Sequence, residues 1–346
     1  PTNTFLMDLF LSIFPIVLLI YLMVKRNAFP SYVALPLIAG IVYLLQLFYF
    51  KNEFILLNAN IVSAIISVFT PISVIFGAVF FNRMMETSGA MNTLRSWLGN
   101  ISENPVAQLM IIGWAFAFML EGASGFGTPV AIAAPILVGI GFRPMQVVML
   151  ALVMNSVPVS FGAVGTPTWY GFKTLLDSGT IGGEDVSSIG KYSALIHFVA
   201  AFVIHILALR FIVSWKEIKQ NILFILLSVL SCTVPYLLIA QFNYEFPSLV
   251  GGAIGLFVSV LLAGKGIGLA KTEQKKEKQP IAAKTLIKAF TPTLLLIIIL
   301  VLTRVQQLPF KAMLNDSSEL FSLHLGYLGN FHLSKGLIFS LSDIFT

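Results

Sequence analysis

Glu121 is the one acidic residue deep inside an apolar run of this chain. A charge at bilayer depth costs about 2.5–3.5 kcal/mol on insertion scales, so a carboxyl kept there is a candidate for function. Two roles fit: taking up and releasing a proton, or capping backbone N–H groups at a turn. Glu121 opens the stretch Glu121-Gly-Ala-Ser-Gly-Phe-Gly-Thr128, whose glycines, Ser and Thr make a poor helix interior. A second interruption, Asn155-Ser-Val-Pro158, is followed by Gly162, Gly165, Thr166 and Pro167. Each interruption leads into a Thr-Pro pair, Thr128-Pro129 and Thr166-Pro167. Thr suits a helix N-cap and Pro the first helical position, so each pair can start a half-helix. The positive end of such a half-helix, aimed into the protein, attracts an anion such as a carboxylate. The competing reading is two kinked helices with ordinary packing turns.

The candidate substrate-binding set is therefore Ser124, Gly125, Gly127, Thr128, Asn155, Ser156, Gly165 and Thr166, with Ser160 as a further hydroxyl. Each hydroxyl has an alternative use, a bond to its own neighbouring backbone. His197 and His205 lie eight residues apart in one apolar run, within about 80° of one face. His197 joins Glu121 as a proton-coupling candidate, against the alternative of satisfied core histidines. No catalytic, metal or cofactor set is expected. The phosphate-loop pattern, the His-Glu-x-x-His pattern and paired cysteines are all missing, with Cys232 the single cysteine. Two look-alikes are weaker. Gly122-Ala-Ser124-Gly125 matches the Gly-x-Ser-Gly of rhomboid intramembrane proteases, with His197 as base. Gly125-Phe126-Gly127 echoes a potassium filter without its preceding Thr-Val.

The elements that would position these residues are membrane helices. Of the 346 residues 57% are apolar and only 10% charged, too few charges to cover a soluble core. Thirty Phe and one Cys also exclude disorder and a disulfide scaffold. Crossing a bilayer core of about 30 Å takes roughly 20 helical residues. Runs at 5–24, 32–50, 61–82, 192–212, 221–242, 247–264 and 286–303 meet that length, with charges at their ends. Pro105–Leu120 and Pro129–Gly141 are shorter and flank the glycine-rich stretch, which predicts a re-entrant hairpin over about 105–141. Segment 144–172 reads as one broken span.

Charge distribution orients this arrangement. The hydrophilic segment 265–285 is rich in lysine and is read as a cytoplasmic loop; it lacks interleaved aromatics and gives no support to nucleic-acid binding. With 105–141 re-entrant, 15 of the 21 Lys and Arg fall on the cytoplasmic side. Making 105–141 a crossing moves Lys25, Arg26, Arg83 and Arg95 outside, against the positive-inside rule. The expected domain organisation is a transmembrane region 1–264, the basic loop 265–285, and a segment 286–346. That last segment would hold a further span, an extracellular stretch and the truncated start of a second repeat. The expected topology is eight crossings and one hairpin, with the N-terminus outside.

The stretch from Leu120 through Phe142, with Glu121-Gly-Ala-Ser-Gly-Phe-Gly-Thr-Pro129 at its head, resembles the bacterial L-lactate permease family. Asn155-Ser-Val-Pro-Val-Ser-Phe-Gly-Ala-Val-Gly-Thr-Pro167 is similar to a second signature of that family. The two cover about 50 residues; elsewhere the likeness is one of hydropathy and order. By the resemblance Glu121, Gly122, Gly125, Gly127, Thr128, Asn155, Gly162 and Gly165 match the motifs, and Ser124 stands where Ala is more usual. The resemblance implies an all-α, multi-pass protein of the bacterial inner membrane. It implies a secondary transporter that imports L-lactate and related monocarboxylates such as glycolate with protons, and is not an enzyme. It also implies two inverted repeats, each with a hairpin, meeting at a midplane site, so that a second repeat is needed for transport. A sodium-coupled carboxylate carrier and an inactive fragment are the alternatives within this reading.

Overall fold

The computed structural model describes residues 2–271, 281–304 and 309, together with four short strands between 321 and 339. The chain divides into two compact units, one of residues 1–72 and 315–344, the other of residues 73–314 with the last two residues. In the first unit, helices Thr2–Val24 and Ser31–Phe48 pack on each other around Leu22, Ala34 and Ile38. Their other faces expose Phe5, Ile16, Tyr21 and Leu44, as lipid-facing helices do.

The second unit is built around one helix, Pro105–Ser124, whose span is 94% buried by its neighbours. Its start is well determined: the Asn104 side chain accepts from the N–H groups of Val106 and Ala107, and Pro105 sits in the first turn. Asn104 Nδ2 also donates to Asn221 Oδ1 at 2.9 Å and to the Ala270 carbonyl at 3.2 Å, while Asn221 Oδ1 accepts the Ala270 N–H at 2.9 Å. Asn104→Ala removes the cap and the buried bonds to Asn221 Oδ1 and the Ala270 carbonyl, so it should lower stability by about 1–4 kcal/mol. Thermal unfolding in detergent micelles checks this, with Asn92→Ala on an exposed surface as the neutral comparison.

Residues Leu109–Phe116 of the core helix form a π-helix. A π-turn uses more residues than an α-turn, which changes the side of the helix on which Glu121 is presented. Around this helix pack Pro247–Gly264, Ile222–Ala240, Thr128–Ile140 and Pro144–Asn155. Glycines set the closest contacts. A Cβ on Gly252 would lie 2.3 Å from the Met119 backbone nitrogen, and one on Gly122 would lie 2.2 Å from that of Leu249. Gly251 and Gly255 press in the same way on Tyr236 and Cys232 of helix Ile222–Ala240. Small residues let membrane helices approach backbone to backbone, where packing rather than the hydrophobic effect holds them.

Several boundaries differ from the sequence reading. The first hairpin arm does not stop at Leu120; it stays helical through Ser124, giving 20 residues, enough by length to cross. The break falls instead on Gly125, Phe126 and Gly127, all at positive φ, and the second arm runs Thr128–Ile140. Gly122 does not break the helix because its bare face is packed against Leu249. The run at 61–82 is two helices, Phe54–Ser67 and Phe69–Thr87, since Pro71 fits the first turn of a new helix better than the interior of a continuous one. The broken span is found as expected: Pro144–Asn155 and Val159–Gly171 meet at 66°. Among the described residues six helices are long and apolar enough to cross a membrane, seven with the bent pair, against the eight crossings expected.

Residues 272–280 of the basic loop lie outside the described residues, as does much of the segment after Arg304. Strand Phe321–Leu323 pairs antiparallel with Leu337–Phe339, and Tyr327–Leu328 with Phe331–His332, a local exception to the helical reading.

Candidate functional site

The hairpin tip and the broken span meet at Glu121. The residue is 2% exposed, and its Oε2 accepts a hydrogen bond from Asn155 Nδ2 at 3.0 Å. Oε1 lies against Gly162, where any side chain would collide with it. Glu121 is thus held from both limbs of the bend, by Asn155 at the end of the first helix and Gly162 at the start of the second. The Glu121 carbonyl accepts the Gly125 N–H at 3.0 Å, closing the helix on the turn, and the Gly125 carbonyl accepts the Thr128 N–H at 3.0 Å. Gly125 in turn packs on Ala163, which puts the hairpin tip and the bend in direct contact.

The second limb begins in an unusual conformation. Ala163, Val164 and Gly165 all have positive φ, and regular helix starts only at Thr166. A left-handed β-branched residue costs roughly 1–2 kcal/mol and persists only where its surroundings impose it. Here they do: the Thr166 hydroxyl donates to the Ala163 carbonyl at 2.6 Å, and the Thr168 hydroxyl to the Ser160 carbonyl at 2.5 Å. Gly165 itself sits so close to the backbone of Tyr244 and Glu245 that no side chain fits.

The predicted residues divide into two groups. Glu121, Asn155, Gly125 and Gly162 converge, with Gly165, Thr166 and Thr128 on the turns that carry them. Three predicted hydroxyls take the local alternative. Ser124 Oγ donates to the Leu120 carbonyl, Ser156 Oγ to that of Val153, and Thr166 Oγ1 to that of Ala163. Gly127 is exposed at the tip, and it rather than Thr128 takes the N-cap position of the second arm. His197 is not at the carboxyl; its Nδ1 pairs with the Tyr236 hydroxyl at 2.8 Å. The protease pair is therefore not assembled, since Ser124 and His197 each have another partner. His205 is fully buried, bonded to the Ala201 carbonyl and packed on the Trp114 ring, as a core histidine is.

Sequence reading missed Tyr236 and Ser248, whose hydroxyls reach the carbonyls of Val157 and Pro158 in the bend at 3.3 and 2.6 Å. Neither stands in a motif. The helices that bring them in did carry a signal, the Gly251-x-x-x-Gly255 spacing of close-packing membrane helices. A separate apolar cleft of about 490 Å³ lies in the first unit, lined by Gly40, Tyr43, Gln46, Leu57, Asn60 and Ile61 among others, and holds none of the predicted site residues.

Fold and site together define a polytopic α-helical membrane protein with an internal hairpin, a broken span, and a buried carboxyl clasped between them. The chain belongs to the L-lactate permease family: the family model described as L-lactate permease matches residues 8–346. As a member it is a multi-pass protein of the bacterial inner membrane. It is 62% identical over 340 residues to a putative L-lactate permease of Haemophilus influenzae, covering 98% of this chain and 63% of that protein. It is 26% identical over 331 residues to the L-lactate permease of Escherichia coli K12, covering 92% of this chain and 58% of that one. To the glycolate permease GlcA of the same organism it is 27% identical over 273 residues, covering 73% and 47%. The chain thus spans less than two thirds of the length of these relatives. No solved structure matches it.

Proposed function

We propose that this chain supplies the first repeat and the start of the second of a secondary transporter that carries L-lactate or glycolate, with protons, across the inner membrane. The observation that carries the reading is the clasp on Glu121, a buried carboxyl with, among the described residues, a single side-chain donor, Asn155, at the contact of hairpin and bend. Family membership and the names of the relatives supply the substrate class; the carboxyl supplies the coupling. An anionic substrate approaching the start of helix Thr128–Ile140 meets a like charge a few residues away while Glu121 is ionised. A proton on Glu121 removes that repulsion, so proton and monocarboxylate bind together more readily than either does alone. The helix start adds the field that favours a carboxylate. Such a protein acts as a transporter and not as an enzyme.

The orientation that accompanies this reading places the N-terminus outside and the hairpin entering and leaving on the cytoplasmic side. A second repeat, expected from the family's architecture, completes the midplane site and makes alternating access possible. Labelled L-lactate uptake tests the proposal, in cells lacking lactate carriers and expressing this chain joined to the remaining residues of its Haemophilus relative. Acid-stimulated uptake competed by glycolate supports it; no uptake of any monocarboxylate refutes the substrate. In that chimera Asn155→Leu should lower uptake roughly 10- to 100-fold, the scale of losing a hydrogen bond to a charged group. Asn155→Asp, which brings a second carboxyl to the first, should lower it at least as much.

A further inference from the structure

The bend around Glu121 needs something to fix its angle, because a helix broken at a proline leaves backbone groups that hydrocarbon cannot satisfy. We propose that Tyr236 and Ser248 are the positioning residues that set the bend and, through it, hold Glu121 in its clasp. This rests on the reading of Glu121 as the coupling group.

The geometry is specific. Tyr236 OH donates to the Val157 carbonyl at 3.3 Å, and Ser248 Oγ donates to the Pro158 carbonyl at 2.6 Å. Both residues are fully buried. They come from different helices, Ile222–Ala240 and Pro247–Gly264, and grip two consecutive carbonyls. Those carbonyls lie between the two contacts on Glu121, after Asn155 and before Gly162. A change in the bend therefore moves the donor and the glycine wall relative to the carboxyl at the same time.

Each positioning residue is itself fixed to the helix that bears Glu121. The Tyr236 ring stacks edge-on to Phe118, one turn before Glu121, at 5.5 Å between centroids, and against Phe161 of the bend at 5.2 Å. Ser248 precedes Leu249, the residue whose backbone abuts Gly122. His197 completes the set. His197 Nδ1 lies 2.8 Å from the Tyr236 oxygen, and with the one hydroxyl proton given to the Val157 carbonyl, Nδ1 is the donor in that contact. His197 then acts on the site by orienting Tyr236 rather than by handling the transported proton.

Infrared titration of the purified chain in lipid bilayers tests this. The protonated-carboxyl band of Glu121 is assigned by its loss in Glu121→Gln, and its midpoint is then followed in Tyr236→Phe and Ser248→Ala. Both variants should displace the midpoint by about one pH unit or more. Thr233→Val, which removes a buried hydroxyl bonded to the Val229 carbonyl of its own helix, should leave it in place. A midpoint unmoved in either folded variant overturns the proposal, as does an equal displacement by Thr233→Val; the absence of any band lost in Glu121→Gln overturns instead the reading of Glu121 on which it rests. If Tyr236→Phe fails to fold, Ser248→Ala decides alone. The titration uses no substrate, so failure of lactate uptake would refute the substrate reading without touching this result.

Discussion

Glu121→Gln, in the chimera with the Haemophilus relative's remaining residues, should reach the membrane in normal amount and yet lose acid-stimulated lactate uptake. Glutamine keeps the length of the side chain and still accepts the Asn155 N–H, so the 3.0 Å contact and the packing on Gly162 survive. What it removes is the exchangeable proton. Uptake driven by an inward gradient of about two pH units should lose the roughly 100-fold accumulation that one coupled proton supplies, about 1.4 kcal/mol per pH unit. The residual uptake should no longer depend on external pH. Downhill exchange of labelled for unlabelled lactate should fall less, because it needs no net proton movement. A variant that kept full acid stimulation would return Glu121 to a capping role at the hairpin turn.

The second large effect is on assembly. Gly252→Ala places a methyl 2.3 Å from the Met119 nitrogen, and Gly122→Ala places one 2.2 Å from that of Leu249. Both obstacles are backbone, so no rotamer change relieves them; helix Pro247–Gly264 must move away from the core helix. Overpacking of this kind costs about 1–3 kcal/mol and sometimes more. Each substitution should lower the midpoint of thermal unfolding in detergent by several degrees or prevent accumulation of the protein altogether. Gly255→Ala differs in kind, because its nearest obstacle is the Cys232 side chain. Cys232→Ala should therefore recover part of the Gly255→Ala loss and none of the Gly252→Ala loss. Equal rescue of both would contradict the packing described.

The chemistry was easier to read from the sequence than the geometry. Glu121 stood out because a carboxylate in an apolar run is costly, and Pro158 with Gly162 and Gly165 announced the broken span. The Thr-Pro pairs marked the helix starts to within one residue, although Gly127 takes the cap that Thr128 was expected to supply. The hairpin boundary was read four residues early, since helix propensity counts Gly122 as a defect and cannot see the helix packed against it. The π-helix at Leu109–Phe116 has no signature in an unbroken apolar stretch. Tyr236 and Ser248 were invisible for a related reason: their partners are backbone carbonyls 79 and 90 residues away, and a carbonyl carries no sequence label. His197 illustrates the limit most plainly. Its type suggested proton chemistry, whereas its neighbour in space made it a partner of Tyr236.

On this reading of the site, a monocarboxylate and a proton cross together through the Glu121 clasp. The most direct measurement is the pH of a weakly buffered medium outside proteoliposomes that contain the chimera, on addition of L-lactate with no imposed ion gradient. The medium should turn alkaline as lactate enters, glycolate should do the same, and Glu121→Gln should abolish the change. Lactate entry with no alkalinisation, or entry that follows a sodium gradient instead, would contradict it.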